Sequence, residues 1–104
     1  MKIRYAPAAR EDLRELRRYL ISEFGALVAA RSVGKIVADI AVLKRHSALI
    51  RPLSDKIGRP SDYSYFLCGK YSIAILATTE NMISVVRILD GRTDYATTIF
   101  GMQE

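Results

Sequence analysis

The apolar residues of this chain change their period halfway along the sequence. In the first half they recur every three or four residues, whereas in the second half they form short alternating or β-branched runs. Because one secondary-structure element cannot satisfy both periods, the first half of the chain should form helices and the second half should form most of the sheet. This order predicts an α+β fold in which paired helices cover a sheet.

The first half predicts a short strand followed by two helices. Residues 2–5 alternate in polarity, and Pro7 suits the first turn of a helix. The stripe of that helix is Ala9, Leu13, Leu16, Leu20 and Phe24. Gly25 ends it, and a second apolar stripe predicts a helix over residues 27–45. The short connection makes the two helices an antiparallel hairpin, and Gly34 would allow another backbone to approach the second helix closely.

The second half predicts a loop and then three strands. The loop covers residues 46–62, with a short edge segment at 49–53. The strands follow at residues 63–68, 71–78 and 82–89, and the second of them places Ile73 and Ile75 on one face and Ser72, Ala74 and Leu76 on the other. Gly69 and Lys70 predict a two-residue hairpin turn, so the strands should form an antiparallel meander. We therefore expect one domain over residues 1–104, ordered β-α-α-β-β-β, with the helical hairpin packed on a small antiparallel sheet.

Charge is distributed unevenly along the chain. Of its 104 residues, 16 are basic and 11 acidic; residues 1–59 carry 13 basic and 6 acidic groups, and residues 60–104 carry 3 and 5. Arginine outnumbers lysine and is suited to bidentate contact with carboxylates and phosphates. This asymmetry is compatible with an ordinary solvated surface, or with an acidic protein segment or nucleic acid as partner.

Several classes of protein are excluded by what the sequence lacks. No apolar run exceeds five residues, far short of the roughly 20 of a membrane span, and no secretory signal precedes the first charges. One cysteine and one histidine form neither an internal disulfide nor a metal site. No nucleotide-binding glycine pattern follows a strand, and no hydrolase or metalloprotease motif occurs. We therefore expect a cytoplasmic protein without metal or cofactor.

The end of the last predicted strand forms a separate charged segment. Arg87 interrupts an apolar run, so it either faces outward or is buried with a partner. A turn rich in arginine and aspartate follows over residues 90–94, and its charges can pair with each other or with an external carboxylate or phosphate. Ile99 and Phe100 then form an apolar tail that docks on this domain or on another chain.

In this order, the elements resemble the RelE/ParE superfamily of bacterial toxins from type II toxin–antitoxin systems. The resemblance covers most of the chain and rests on PAAREDLRELRRYL, GKYSIAIL, ISVVRILDGRTDY and TTIF. The closing strand and its Asp-Gly-Arg-x-Asp turn are similar to the ending of the ParE branch. That branch implies a growth-arresting, plasmid-stabilising toxin that inhibits DNA gyrase by binding rather than by enzymatic chemistry.

The resemblance also implies partners and surfaces. A ParD-like antitoxin would neutralise the toxin in a hetero-oligomer and would supply its only connection to operator DNA. We expect the target-binding residues to be Arg87, Arg92, Asp94, Tyr95 and Phe100. We expect the antitoxin-binding residues to be Leu13, Arg14, Leu16, Arg17 and Leu20, because a basic, apolar-grooved helix suits an acidic amphipathic segment.

Two alternatives stay open. A RelE-like toxin would instead cleave mRNA on the ribosome, but the lysines of that branch are absent from the stretch that contains Ser64 and Phe66. Ser72 stands where both branches usually carry arginine, and only Arg92 matches a basic position of the nuclease set. The third possibility is an inactive toxin that only binds antitoxin.

Overall fold

The computed structural model describes residues 1–92 and 95–103. A strand and two long helices come first: β1 (Lys2–Tyr5), α1 (Pro7–Phe24) and α2 (Ala26–Ala41). Two single-turn 3₁₀ helices follow, Val42–Lys44 and Ser47–Leu49. The remaining elements are β2 (Arg51–Pro52), α3 (Leu53–Ile57), β3 (Ser64–Cys68), β4 (Ser72–Thr78), β5 (Met82–Asp90) and α4 (Tyr95–Gln103). In the part of the chain so described, no helix is both long and apolar enough to span a membrane.

The predicted helical hairpin is confirmed. Pro7 opens α1, and Gly25 ends it with a positive φ of 91° while its N–H donates to the carbonyl of Ile21. The same glycine precedes α2, so a single residue reverses the chain. The second helix is shorter than predicted, because the α-helix stops at Ala41 and tightens into a 3₁₀ turn.

The sheet is mixed, which corrects the predicted antiparallel sheet. Its five strands lie in the order β1-β5-β4-β3-β2. The β3–β4–β5 meander is antiparallel as predicted, but β1 runs parallel to β5, with Lys2 beside Met82 and Tyr5 beside Val85. Alternation within residues 2–5 identifies a strand but carries no information about its neighbour or direction. β1 and β5 are distant in sequence, and they can pair in parallel because the helical hairpin carries the chain back to the sheet.

Both faces of the sheet are buried. Ala74 and Leu76 of β4 pack in a first core against α1 and α2, and this core also holds Ala9, Ile36, Ile40, Leu43, Ile83, Val85 and Ile88. Ile73 and Ile75 point to a second core with Leu53 and Ile99, which come from α3 and α4. The predicted alternation of β4 is therefore correct, and the apolar tail docks on its own domain as a helix.

Helix α3 lies in a segment that the sequence predicts as a loop. Residues 46–62 were expected to form a loop with an edge segment, but only Arg51–Pro52 is strand and α3 follows at once. These two strand residues pair with β3 at Tyr65 and Ser64. A five-residue helix is too short to show a hydrophobic period, so packing against the second core decides it.

A bulge in β5 shifts the alternation of that strand. Val85 pairs with Leu76 and Arg87 with Ile75, so Val86 is an extra residue without a partner in β4. As a result Val85 and Ile88, three positions apart, both belong to the first core. Regular alternation would have placed them on opposite faces.

The β3–β4 turn has three residues, 69–71, instead of the predicted two, because Cys68 pairs with Ser72. Gly69 adopts a φ of 59°, and a Cβ there would lie 2.8 Å from Cγ1 of Ile36. Its N–H donates to Oδ2 of Asp39 at 2.7 Å. The turn is therefore fastened to α2 at a position that only glycine occupies without strain.

Candidate functional site

A groove of about 480 Å³ lies between the helical hairpin and one end of the sheet, and we call it the hairpin groove. Its apolar lining is Leu16, Leu20, Ile36, Tyr71, Ile88 and Leu89. Its basic residues are Arg31, Lys35, Lys70 and Arg92, and its acidic residues are Asp12, Glu15 and Asp90. An open, mainly apolar groove with charges of both signs is suited to an amphipathic peptide segment.

Arg92 is held in position at the end of β5 while remaining accessible. Its Nη2 and Nε lie 2.9 and 3.1 Å from the carboxylate oxygens of Asp90, and its Cζ lies 4.2 Å from the centroid of the Tyr71 ring. The side chain is nevertheless 60% exposed. The hydrogen bonds from Arg92 lower the pKa of Asp90, so this pair is intact at neutral pH and is lost as the pH falls through that lowered pKa.

Arg87 has its partner on α1. Its Nε and Nη2 donate to the two carboxylate oxygens of Asp12 at 2.8 and 2.9 Å, and the backbone N–H of Ile88 donates to the same carboxylate at 2.9 Å. The side chains of Asp12 and Arg87 are only 13% and 28% exposed. Of the two sequence-based interpretations, the partnered arginine is therefore correct, and Asp12 connects α1 to β5 beside the bulge.

Two of the other predicted target-binding residues, Tyr95 and Phe100, lie on α4. Tyr95 packs against the second core, and Nζ of Lys56 lies 5.8 Å from its ring centroid. The guanidinium carbon of Arg59 lies 4.7 Å from the centroid of Phe100. Asp94 lies outside the described residues. The structure thus brings Tyr95 and Phe100 to the α3 side of the sheet, whereas Arg87 contacts α1 on the opposite face.

The predicted antitoxin-binding residues of α1 divide into two groups. Leu13 and Leu16 pack against the first core, and Leu16 also lines the hairpin groove together with Leu20. Arg14 and Arg17 are exposed, and Nη1 of Arg14 donates to Glu11 at 2.7 Å. Only part of this set therefore forms one surface.

Three basic residues of the hairpin groove were not singled out from the sequence: Arg31, Lys35 and Lys70. The charges of α2 do carry a signal, because Arg31, Lys35 and Asp39 follow one another at intervals of four residues and form one stripe. No local sequence pattern distinguishes Lys70. It lies at the groove in a turn that is hydrogen-bonded to Asp39 of α2.

The described side chains offer few groups for covalent chemistry. Cys68 is 2% exposed, and burial, together with the charge of Asp39, raises the pKa of its thiol to about 12. It is therefore a neutral thiol at physiological pH and a poor nucleophile. Residues 1–92 and 95–103 contain no group of three or more histidine, cysteine or acidic side chains arranged to hold a metal ion.

The fold of this chain is similar to that of chains in solved toxin–antitoxin structures. The structure of a chromosomal ParDE system from P. aeruginosa matches with a TM-score of 0.73 at 17% identity, covering 86% of this chain and 95% of that one. A chain of the RelBE2 toxin–antitoxin complex from Mycobacterium tuberculosis matches with a TM-score of 0.54 at 15% identity, again covering 86% and 95%. At these low sequence identities, the similarity shows a shared fold and nothing more.

The sequence itself supplies the family. The model of the ParE toxin of the parDE type II toxin–antitoxin system matches residues 3–95. No curated protein matches at a significant level. The chain belongs to the ParE toxin family, as its closing strand and turn predicted.

Proposed function

We propose that this ParE-family toxin arrests growth by binding DNA gyrase and that it performs no chemistry of its own. The observation that carries the proposal is the state of the closing strand. Arg92 is paired with Asp90 and stacked on Tyr71, yet its side chain remains 60% exposed. An arginine ordered in this way suits a protein interface, where a preorganised, partly exposed guanidinium contributes strongly to binding.

The surroundings of β3 argue against the alternative of a RelE-like ribonuclease. Cleavage of RNA without metal needs groups that activate the 2′-hydroxyl, stabilise the phosphate and protonate the leaving oxygen. Where the nuclease branch carries lysines, Phe66 packs against the first core and Ser64 pairs with Leu76. Ser72, in place of an arginine, lines the hairpin groove.

The test is supercoiling of relaxed plasmid by purified gyrase in the presence of the toxin. We expect supercoiling to fail and cleaved DNA to accumulate. Unimpaired gyrase with a folded toxin would contradict the proposal. Cleavage of ribosome-bound mRNA would then support the ribonuclease, and inactivity in both assays would support an antitoxin-binding module.

Within this assay, Arg92→Ala should raise the toxin concentration needed for half-inhibition by about tenfold or more, because it removes an exposed, ordered guanidinium. Arg14→Ala is the matched control, since Arg14 is also exposed and paired with a carboxylate but lies on α1. Its effect should be within about twofold. Equal losses in both variants, or none in either, would exclude Arg92 as a target contact.

The antitoxin surface that we propose is the hairpin groove together with the exposed arginines of α1. An acidic amphipathic segment of a ParD-like antitoxin would place apolar side chains against Leu16, Leu20 and Ile36. Its carboxylates would meet Arg31 and Lys70, for which the described structure shows no carboxylate partner. Contact with operator DNA would then occur only through the antitoxin.

Reversing the charge of Lys70 tests this surface. Lys70→Glu should weaken antitoxin binding by about tenfold, mainly through slower association and with a loss of salt dependence. Lys2→Glu makes the same change at an exposed residue that does not line the groove and should leave affinity nearly unchanged. Equal affinities of the two variants, measured by titration calorimetry, would place the antitoxin elsewhere.

A further inference from the structure

Tyr71 is an aromatic residue that packing in a core does not account for. It ends the β3–β4 turn, lines the hairpin groove and is 46% exposed. Among the described residues, the second core includes Tyr63 and Tyr65, whereas Tyr71 belongs to neither core. The reason for an aromatic ring at this position therefore lies in the side chains that surround it.

Two cations lie against the Tyr71 ring. Cζ of Arg92 is 4.2 Å from the ring centroid, and Nζ of Lys70 is 5.5 Å from it. Both distances are within the limit of about 6 Å for a cation–π interaction. Arg92 is the closer of the two, and a planar guanidinium stacks on an aromatic face better than an ammonium group does. Tyr71 is therefore mainly the stacking partner of Arg92.

Backbone contacts hold Tyr71 in place from two sides. Its carbonyl accepts a hydrogen bond from the N–H of Gly91 at 2.6 Å, so the turn is joined to the chain one residue before Arg92. A Cβ on Gly91 would lie 3.0 Å from that carbonyl oxygen, which makes the close approach easiest for glycine. At the other end of the turn, Gly69 donates to Asp39 of α2. The position of the ring is thus set within the toxin itself.

The ion pair with Asp90 is not sufficient to order Arg92. The side chains of Arg92 and Asp90 are 60% and 37% exposed. An ion pair that is open to solvent contributes little, because water and salt screen it. A long arginine side chain therefore loses rotamer freedom when a partner binds, unless a second contact has ordered it beforehand. The Tyr71 ring supplies that second contact.

We propose that Tyr71 is a positioning residue of the target-binding site, whose ring orders the guanidinium of Arg92 before gyrase binds. Asp90 accepts hydrogen bonds from Nε and Nη2 of Arg92, while Nη1 donates to no group within the described residues. The ordered guanidinium thus keeps one nitrogen for the target. This inference rests on the proposed binding of gyrase through Arg92, and it adds a residue outside the predicted target-binding set.

NMR spectroscopy of the free toxin tests the ordering of Arg92 without gyrase. The ring current of an aromatic face shields the groups stacked on it, so the δ-methylene and Nε–H signals of Arg92 should lie upfield of those of an unstacked arginine. Tyr71→Phe keeps the ring and should keep these shifts, whereas Tyr71→Ala should abolish them. Leu67→Ala is the matched control, because it truncates a side chain of the same β-hairpin that is 60% exposed, and it should leave the Arg92 signals unchanged.

The gyrase assay then tests whether this ordering matters for the target. Tyr71→Ala should raise the toxin concentration for half-inhibition by about fivefold, as expected when one flexible side chain must be ordered on binding. Tyr71→Phe and Leu67→Ala should behave as the wild type. In an Arg92→Ala background, Tyr71→Ala should add no further loss, because a positioning residue acts only through the residue that it positions.

Three results would overturn the proposal. Arg92 signals that do not change in Tyr71→Ala would exclude the ordering, and additive losses in the double variant would make Tyr71 a direct target contact. Equal losses in Tyr71→Phe and Tyr71→Ala would assign the effect to the hydroxyl group instead of the ring. If the wild-type toxin leaves gyrase unimpaired, the proposed function fails, while the NMR comparison still decides whether Tyr71 orders Arg92.

Discussion

Replacing Ile75 by alanine is expected to lower the free energy of unfolding by about 2–5 kcal/mol, the usual range for a large residue removed from a filled core. Ile75 is fully buried, and its contacts come from the second core, where α3 and α4 cover the sheet. The measurement is urea denaturation followed by circular dichroism. A loss of this size would require that the face of the sheet opposite the helical hairpin is buried.

The neighbouring residue provides a matched comparison. Leu76 is equally buried but faces the first core, so Leu76→Ala should produce a loss in the same range. Leu67 of β3 is 60% exposed, and Leu67→Ala should change stability by no more than about 0.5 kcal/mol. If Ile75→Ala resembled Leu67→Ala instead of Leu76→Ala, the docking of α3 and α4 would be wrong.

Replacing Asp12 by alanine is expected to destabilise the protein by about 2–3 kcal/mol. The carboxylate accepts three hydrogen bonds from β5, two from Arg87 and one from the backbone N–H of Ile88. Its removal leaves a guanidinium and an amide without their partner in a region from which solvent is largely excluded. We would measure this as a shift in the urea midpoint at neutral pH.

Glu11, the next residue towards the N-terminus, is the control. It pairs with Arg14 and Arg18 in the exposed part of α1, so Glu11→Ala should destabilise the protein far less than Asp12→Ala. A second variant, Arg87→Met, in the Asp12→Ala background should recover part of the loss, because the unpaired charge is then gone. Additive losses in this double variant would contradict a direct pairing of Asp12 with Arg87.

The pairing of Asp12 with Arg87 also bears on the proposed target surface. Arg87 was selected from the sequence as a target-binding residue, and its guanidinium is already bound by α1. Arg92 is exposed beside the hairpin groove, whereas Tyr95 lies against Lys56 of α3 and Phe100 lies against Arg59. For this reason Arg92 is the residue of that set on which we concentrate the gyrase experiment.

Local patterns in the sequence were sufficient for the elements that have a clear period. The helical stripe before Gly25, the hairpin that this glycine allows, and the opposite faces of β4 all follow from spacing alone. The family also followed from short segments, since the closing strand and turn resemble the ParE branch and the family model matches residues 3–95. Part of the hairpin groove, the side chains of Leu16 and Leu20, lies on that first stripe.

The tertiary structure alone decided the features that depend on residues distant in sequence. These are the parallel pairing of β1 with β5, the bulge at Val86, the helical form of the tail and the ion pair between Asp12 and Arg87, which are 75 residues apart. The physical reason is the same in each case. The period of the apolar residues shows which side of a helix or strand is buried. It does not show which residues pack against that side, because those residues are distant in sequence and come into contact only in the folded chain.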